Sequence, residues 1–292
     1  RNVHEGLKSM RFLTFSHNGT QSWGVRTDQG VSNIGERLQG RFPSLRSFIG
    51  DPKSEQLAKE TIECSTLVQE DEITFLPPIP DPDKIICVGL NYEEHRVETN
   101  HAPTGFPTLF TRFAASQCGH GAPIMLPTES RELDYEAELV AVIGKPCFKV
   151  SEGEALSNIV GYSCYNDGSI RDWQTHTTQF LPGKNFISTG AFGPYLVTKD
   201  EVGDPQDLAI TCRLNGQIVQ SARTDQMIHN ITSQISYISR FTPLVPGDLI
   251  VTGTPGGVGF TRSPQLFMKA GDLVEVEIEN VGQLKNPIVA EA

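Results

Sequence analysis

This sequence predicts an α+β fold dominated by strands, with a small β-rich domain ahead of a larger one. Three observations predict it. Short apolar runs of strand length outnumber helical stripes along the 292 residues. No regular strand–helix–strand alternation is present to build a doubly wound sheet or an α/β barrel, and nothing repeats at solenoid or propeller period. The stretch Phe75-Leu-Pro-Pro-Ile-Pro-Asp-Pro-Asp83, with its four prolines, separates two textures as a stiff, extended linker.

The first nine residues are polar and unpatterned, and read as an extension before a natural start at Met10. From Met10 to about Asn33, alternating runs are punctuated by His-Asn-Gly-Thr and Thr-Asp-Gln-Gly, the pattern of a β-meander. Pro43 to Cys64 reads as helix interrupted at Gly50-Asp51-Pro52. Residues 10–74 thus form the small domain, 75–83 the linker and 84–292 the large domain.

In the large domain, strands are expected at Ile85–Val88, Thr108–Phe110, Leu133–Ile143 and Ile159–Asn166. Cys212 to Val219 turns at Asn215-Gly216, a pair suited to the positive φ angles of a two-residue hairpin. Met227, Ile228, Ile231, Ile235 and Ile238 share a 3.6-residue stripe, which predicts a helix between Asp225 and Phe241. Strands Leu249–Thr252 and Leu273–Ile278 flank a glycine-rich loop.

Acids outnumber bases 35 to 24, giving a formal charge of −11 with no basic block. Nucleic acid is therefore an unfavourable partner, since phosphate contacts need clustered Lys and Arg. No run approaches the roughly 20 apolar residues that span a bilayer, which excludes a helical membrane anchor. Cys64, Cys87, Cys118, Cys147, Cys164 and Cys212 form no C-x-x-C pair and read as reduced, mostly buried thiols. Together with no secretory pattern in these residues, this makes the cytoplasm the expected compartment, with the mitochondrial matrix as the alternative.

Chemistry concentrates in Leu133-Asp-Tyr-Glu-Ala-Glu-Leu-Val140. The acids Asp134, Glu136 and Glu138 alternate with apolar residues, so strand geometry points all three carboxylates to one face. Such a row suits a solvated outer face. However, the strand continues as Val140-Ala-Val-Ile143, apolar on both sides, and so runs inward. Asp167 ends a second apolar strand. Glu136, Glu138 and Asp167 make an oxygen-only set that suits Mg²⁺ or Mn²⁺; zinc is disfavoured because no His or Cys stands at ligand spacing.

Taken in order, Cys87-Val-Gly-Leu-Asn-Tyr-Glu-Glu-His95, Asp134-Tyr-Glu-Ala-Glu138, Asn166-Asp167 with Arg171-Asp-Trp-Gln174, Pro182-Gly-Lys-Asn-Phe186 and Val251-Thr-Gly-Thr-Pro-Gly-Gly-Val-Gly259 form one combination. From Lys84 to Asn286 the chain resembles the fumarylacetoacetate hydrolase family. That resemblance implies a mixed β-sheet roll, a homodimer and chemistry on 2-oxo acids. It implies Glu136, Glu138 and Asp167 as ligands of a divalent metal, with Asp134 just outside. Two segments depart from the family pattern: Gly168-Ser-Ile170, and Ile187-Ser-Thr-Gly190 after the Gly-Lys motif.

His95 and Glu98, three apart, share a face of one helical turn. The resemblance makes them a dyad on a lid, Glu98 orienting His95 as general base toward water. Arg171 is expected to pair with a substrate carboxylate and Gln174 to stabilise an oxyanion, and the resemblance, through its Gly-Lys motif, implies Lys184 as a second stabiliser. Thr254 and Arg112 are further candidates for binding the substrate anion. The glycine-rich loop lacks the Gly-Lys-Ser/Thr ending of a phosphate loop. His101, His120, His176 and His229 read as structural or surface residues.

The expected activity is metal-dependent hydrolysis of the C–C bond of an acylpyruvate-like 2,4-dioxo acid to pyruvate and a carboxylic acid. The alternatives on the same site are oxaloacetate decarboxylation or tautomerisation, and isomerisation or decarboxylation of a 2-hydroxydienedioate from aromatic ring cleavage. A non-catalytic binding protein on this fold is the reading from another class.

Overall fold

The computed structural model describes residues 10–292; the extension expected at residues 1–9 lies outside the described residues. The strand Ala137–Ile143 is the axis of the molecule. Its alternation sends Leu139, Ala141 and Ile143 into one core and Val140 and Val142 into another. A strand apolar on both sides is stable only when both faces are covered, and here two different layers cover them.

Ala137–Ile143 lies within a twelve-stranded sheet. In spatial order its main path runs Thr66–Val68, Gly30–Asn33, Thr20–Thr27, Arg11–His17, Gly190–Thr198, Ile159–Asp167, Ala137–Ile143, Leu249–Val251, Ile85–Gly89 and Thr108–Thr111. Ile73–Phe75 and Gln117–Cys118 pair off this path. Two pairings are parallel, Leu249–Val251 on Ile85–Gly89 and Gln117–Cys118 on Gly190–Thr198, so the sheet is mixed. The N-terminal meander joins it directly, through Arg11↔Val197 and Phe12↔Leu196.

A second sheet of five strands, in order Gln217–Arg223, Ala209–Leu214, Leu273–Ile278, Gly282–Ala290 and Ile124–Leu126, shares a core with Leu139 and Ala141 through Ile210, Cys212, Val274 and Val276. On the other face, Trp23, Ile34 and Phe48 of the N-terminal segment share a core with Val140, Val142, Leu249 and Val251. The class is the β-dominated α+β fold expected. No helix of the described residues is long and apolar enough to cross a membrane.

Three local differences from the sequence expectations have physical reasons. The long strand at residues 133–143 is two pieces. Leu133–Asp134 pairs with Ser169–Ile170, whereas Ala137–Ile143 pairs with Ile159–Asp167. The helix after residue 225 is Ile231–Ser239, because the Asn230 side chain accepts the Ser233 N–H and caps it there. Met227 is buried without being helical, while Ile228 is 41% exposed. Gly190–Thr198 carries two glycines and Pro194 and offers little strand signal; its partner register shifts between Tyr162 and Cys164, the kind of irregularity that accommodates a proline.

Candidate active site

The acids converge where the two central strands end. Ala137 pairs with Asn166, the Asp167 N–H donates to the Glu136 carbonyl at 2.9 Å, and one carboxylate oxygen each from Glu136, Glu138 and Asp167 lies within 4.8 Å of the others. All three are buried, at 4%, 2% and 0% exposure, which removes the solvated-face reading of the strand. Asp134 leaves this row because the strand breaks after it. Its carboxylate instead takes Arg171 Nε at 2.9 Å and the Gly259 and Phe260 amides at 2.8 and 3.0 Å.

Desolvating an ion costs several kcal/mol, so buried carboxylates need counter-charge. Lys184 Nζ bridges Glu136 at 2.8 Å and Asp167 at 2.7 Å; Arg171 Nη1 meets Glu136 at 2.7 Å; Arg112 Nη1 meets Asp167 at 2.6 Å. Burial alone would raise the Glu136 carboxyl, but Lys184 and Arg171 outweigh it and hold it below its ordinary value. Glu138 has no cationic partner among the described residues; it accepts only the Gly253 N–H, at 2.6 Å. Burial first, then the charges of Asp167 and Glu136, push it well above the usual carboxylate range. Four acids therefore face three bases, and the acid left over sits beside two others. This oxygen-only set fits a divalent cation, which Glu136, Glu138 and Asp167 would hold.

Gly253 makes the Glu138 contact possible. At φ +108° it occupies a region that favours glycine, and a Cβ there would stand 2.5 Å from the Asn91 Cβ. Asn91 in turn donates to the carbonyls of Thr252 at 2.7 Å and His229 at 3.0 Å, fixing the root of the segment that carries His95.

That segment is the short helix Glu93–Glu98. His95, 5% exposed, places Nδ1 at 2.8 Å from Glu98 Oε1. The other oxygen of Glu98 accepts the Gly257 N–H at 3.0 Å and the Thr261 hydroxyl at 3.2 Å. The Gly257 carbonyl is itself held by Tyr135 Oη and Arg262 Nε, both at 3.1 Å. Burial would raise the Glu98 carboxyl, but the bonds from His95 and the Gly257 amide hold it below its ordinary value. An ionised Glu98 accepts a hydrogen bond from Nδ1–H of His95, which leaves Nε2 available for proton transfer.

His95, Glu136, Glu138, Arg171, Gln174, Lys184 and Thr254 line one cavity of about 290 Å³, with Phe110, Phe180 and Phe260 as its apolar wall. Glu98 and Asp167 do not line it but contact His95 and Lys184, which do. Arg112 lies apart from it as well. Its side chain is fully buried behind Asp167, with its donors on Asp167, Gly168 O, Thr189 Oγ1 and Ser116 Oγ, and it does not line the cavity. The sequence offers it as a partner for a substrate anion; the structure places it instead as a counter-ion to Asp167, away from the cavity. It ties together the two segments that depart from the family pattern, which also touch directly, since a Cβ on Gly168 would lie 2.2 Å from Thr189 O.

Other roles are narrowed. The Arg171 guanidinium is already shared among Asp134, Glu136 and the Gln174 carbonyl, which leaves Nη2 as its donor without an internal partner. The Thr254 hydroxyl donates to Ala137 O at 2.9 Å and accepts from Gln220 Nε2 at 2.8 Å. Sequence reasoning missed His101, which lines the cavity mouth, and Asn166, whose Oδ1 accepts the Glu136 N–H at 3.0 Å. It also missed Gln220, a lone polar residue in an ordinary strand that only its tertiary partners reveal, and gave no role to Asn91 or Asn166 although both lie within the quoted motifs. Five of the six cysteines are buried and none is paired.

The profile of the fumarylacetoacetate hydrolase C-terminal family matches residues 84–289. The mitochondrial oxaloacetate tautomerase fahd2 of Xenopus laevis is 41% identical over 299 residues, spanning 99% of this chain and 93% of the relative. Among solved structures, a fumarylacetoacetate hydrolase of Exiguobacterium antarcticum superposes with a TM-score of 0.84 at 31% identity, covering 97% of this chain and 100% of that one. A maleylpyruvate hydrolase of Sphingobium gives 0.81 at 25% identity, with 97% and 100% covered. The carboxylate cluster, the His95–Glu98 pair and these matches lead to one conclusion: the chain is an enzyme of the fumarylacetoacetate hydrolase family.

Proposed function

We propose that the chain catalyses keto–enol tautomerisation of oxaloacetate or a close 2-oxo dicarboxylate, with Mg²⁺ or Mn²⁺ as cofactor. The observation that carries this reading is His95 Nε2, free for proton transfer, in the same cavity as Glu136, Glu138, Arg171 and Lys184. The activity printed in the name of the Xenopus relative agrees with it. A bound divalent cation would supply Lewis-acid polarisation of the 2-oxo group. Arg171 would orient the substrate carboxylate, Lys184 and the Gln174 amide would stabilise charge on the enolate oxygen, and His95 would take the C3 proton and deliver it to that oxygen to give the enol, or run the same transfer in reverse.

Acylpyruvate hydrolysis is the second reading. The dyad that moves a proton can equally direct a water, and the Phe110–Phe180–Phe260 wall suits an apolar acyl group. One assay series separates them. Cation-loaded protein that speeds loss of the oxaloacetate enol absorbance without releasing carbon dioxide supports tautomerisation, and release of carbon dioxide shifts the reading to decarboxylation. Pyruvate formed from acetylpyruvate would establish hydrolysis, and its absence for every acylpyruvate tested excludes it. The homodimer also stands as a proposal, supported by exposed Phe113, Leu181 and Ile187 beside the cavity-forming segment; a monomeric mass by light scattering would refute it. For the compartment, the relative's name favours the matrix alternative over the cytoplasm.

A further inference from the structure

The strand Ala137–Ile143 loses its neighbour where it reaches the site. Pairing with Leu249–Val251 ends at Val140↔Val251. The Thr252 N–H still reaches Leu139 O at 3.0 Å, after which the chain turns away at Gly253. No main-chain acceptor is then left for the N–H of Ala137, the residue that separates Glu136 from Glu138. Gln220, on a strand of the other sheet, fills the gap. Its Oε1 accepts the Ala137 N–H at 3.0 Å, and its Nε2 donates to Thr254 Oγ1 at 2.8 Å and Pro255 O at 2.9 Å. The residue is 2% exposed and does not line the cavity.

We propose that Gln220 is a positioning residue for the reaction: its side-chain amide stands in for the missing peptide group and fixes the glutamate-bearing strand against the Thr254–Pro255 loop. Thr254 shows how. Its hydroxyl donates to Ala137 O at 2.9 Å while accepting from Gln220, so both ends of the rotor are set. Without the Gln220 donor the hydroxyl can turn, and without its acceptor the Ala137 N–H is buried unpaired, a costly state that the strand relieves by shifting. Glutamate in this place would keep the acceptor for Ala137. It would turn a second oxygen on Thr254 Oγ1 and Pro255 O, which are acceptors too.

The role rests on the cavity being the reaction site, so the test has one arm that needs no substrate. Mn²⁺ affinity, read by calorimetry, is expected to weaken several-fold in Gln220→Met because Ala137 lies between two ligands. With saturating cation, kcat should fall about tenfold to a hundredfold, the scale of one or two lost buried hydrogen bonds, with KM changed far less. In a double-mutant cycle with Thr254→Val the two losses should overlap, because one acts through the other. Wild-type Mn²⁺ affinity and kcat in a folded Gln220→Met, or fully additive losses in the cycle, would overturn the proposal. If Gln220→Met does not fold, the same measurements in the isosteric Gln220→Glu decide it. A wild-type chain inactive on oxaloacetate would sink the substrate reading alone, and the Mn²⁺ arm would still decide the role of Gln220.

Discussion

The floor of the cavity and its lid are held in opposite ways. On the floor, Glu136 just precedes one central strand and Asp167 ends its neighbour, both buried to 4% exposure or less and locked by Lys184, Arg171 and Arg112. The lid is a helix of six residues whose hold on the glycine-rich loop runs through one carboxylate, Glu98. The floor's charges are fixed by ion pairs within the chain, whereas His95 is oriented by the same carboxylate that ties its helix to the loop.

The widest separation between floor and lid should come from the acids. Glu138→Gln is expected to abolish cation affinity and lower turnover about a thousandfold or more, the scale of a lost Lewis acid. Because Glu138 has no cationic partner among the described residues, the variant's thermal midpoint should barely move. Glu136→Gln should do the same to turnover and also cost roughly 3–5 kcal/mol of stability, since it strips a partner from buried Lys184 and Arg171. Equal melting temperatures for the two variants would break the comparison.

Next in size, His95→Ala should cost about 10²- to 10⁴-fold in turnover, the scale of general acid–base catalysis, with Mn²⁺ affinity unchanged. A loss of cation affinity would mean that lid and floor are a single unit. Thr261→Val, which removes one of the two loop donors to Glu98, should lower turnover only about two- to tenfold. It should also speed amide exchange in residues 93–98 with no change at the floor.

The smallest effect is in pH. Glu138 sits above its ordinary value of 4.5, so a cation must displace its proton. Affinity should rise as pH climbs from 4.5 through the raised value and then flatten; calorimetry in buffers of different ionisation enthalpy reads the released proton. Glu98 sits below 4.5, so the lid contact it makes is present above that value and is lost only as pH falls through the lowered one. Glu138 and Glu98 should thus titrate on opposite sides of 4.5.

Local patterns made much of this legible. Asn215-Gly216 turns a hairpin with φ angles of 51° and 79°, as the dipeptide requires. The spacing of Glu136, Glu138 and Asp167 gave the cluster, because strand alternation and a shared strand end are sequence-local facts. What stayed hidden depends on distant partners. Arg112 looks like any arginine until Asp167 and Thr189 close around it, and Gln220 is polar in a strand whose neighbours are ordinary. The break after Asp134 was hidden too, since a strand that changes partners keeps the same alternation on both sides of the change.

The way Arg11–His17 docks has a practical consequence. One of its flanks pairs with Gly190–Thr198, the strand whose first residue, Gly190, pairs with Asp167. A chain trimmed to begin near Lys84 would strip the cover from Val140, Val142, Phe192, Leu196 and Val251 and leave a bare, sticky strand rim beside a ligand-bearing one. Such a fragment is expected to aggregate, which its soluble yield on expression would check, and residues 10–74 then serve as the cover of the large sheet.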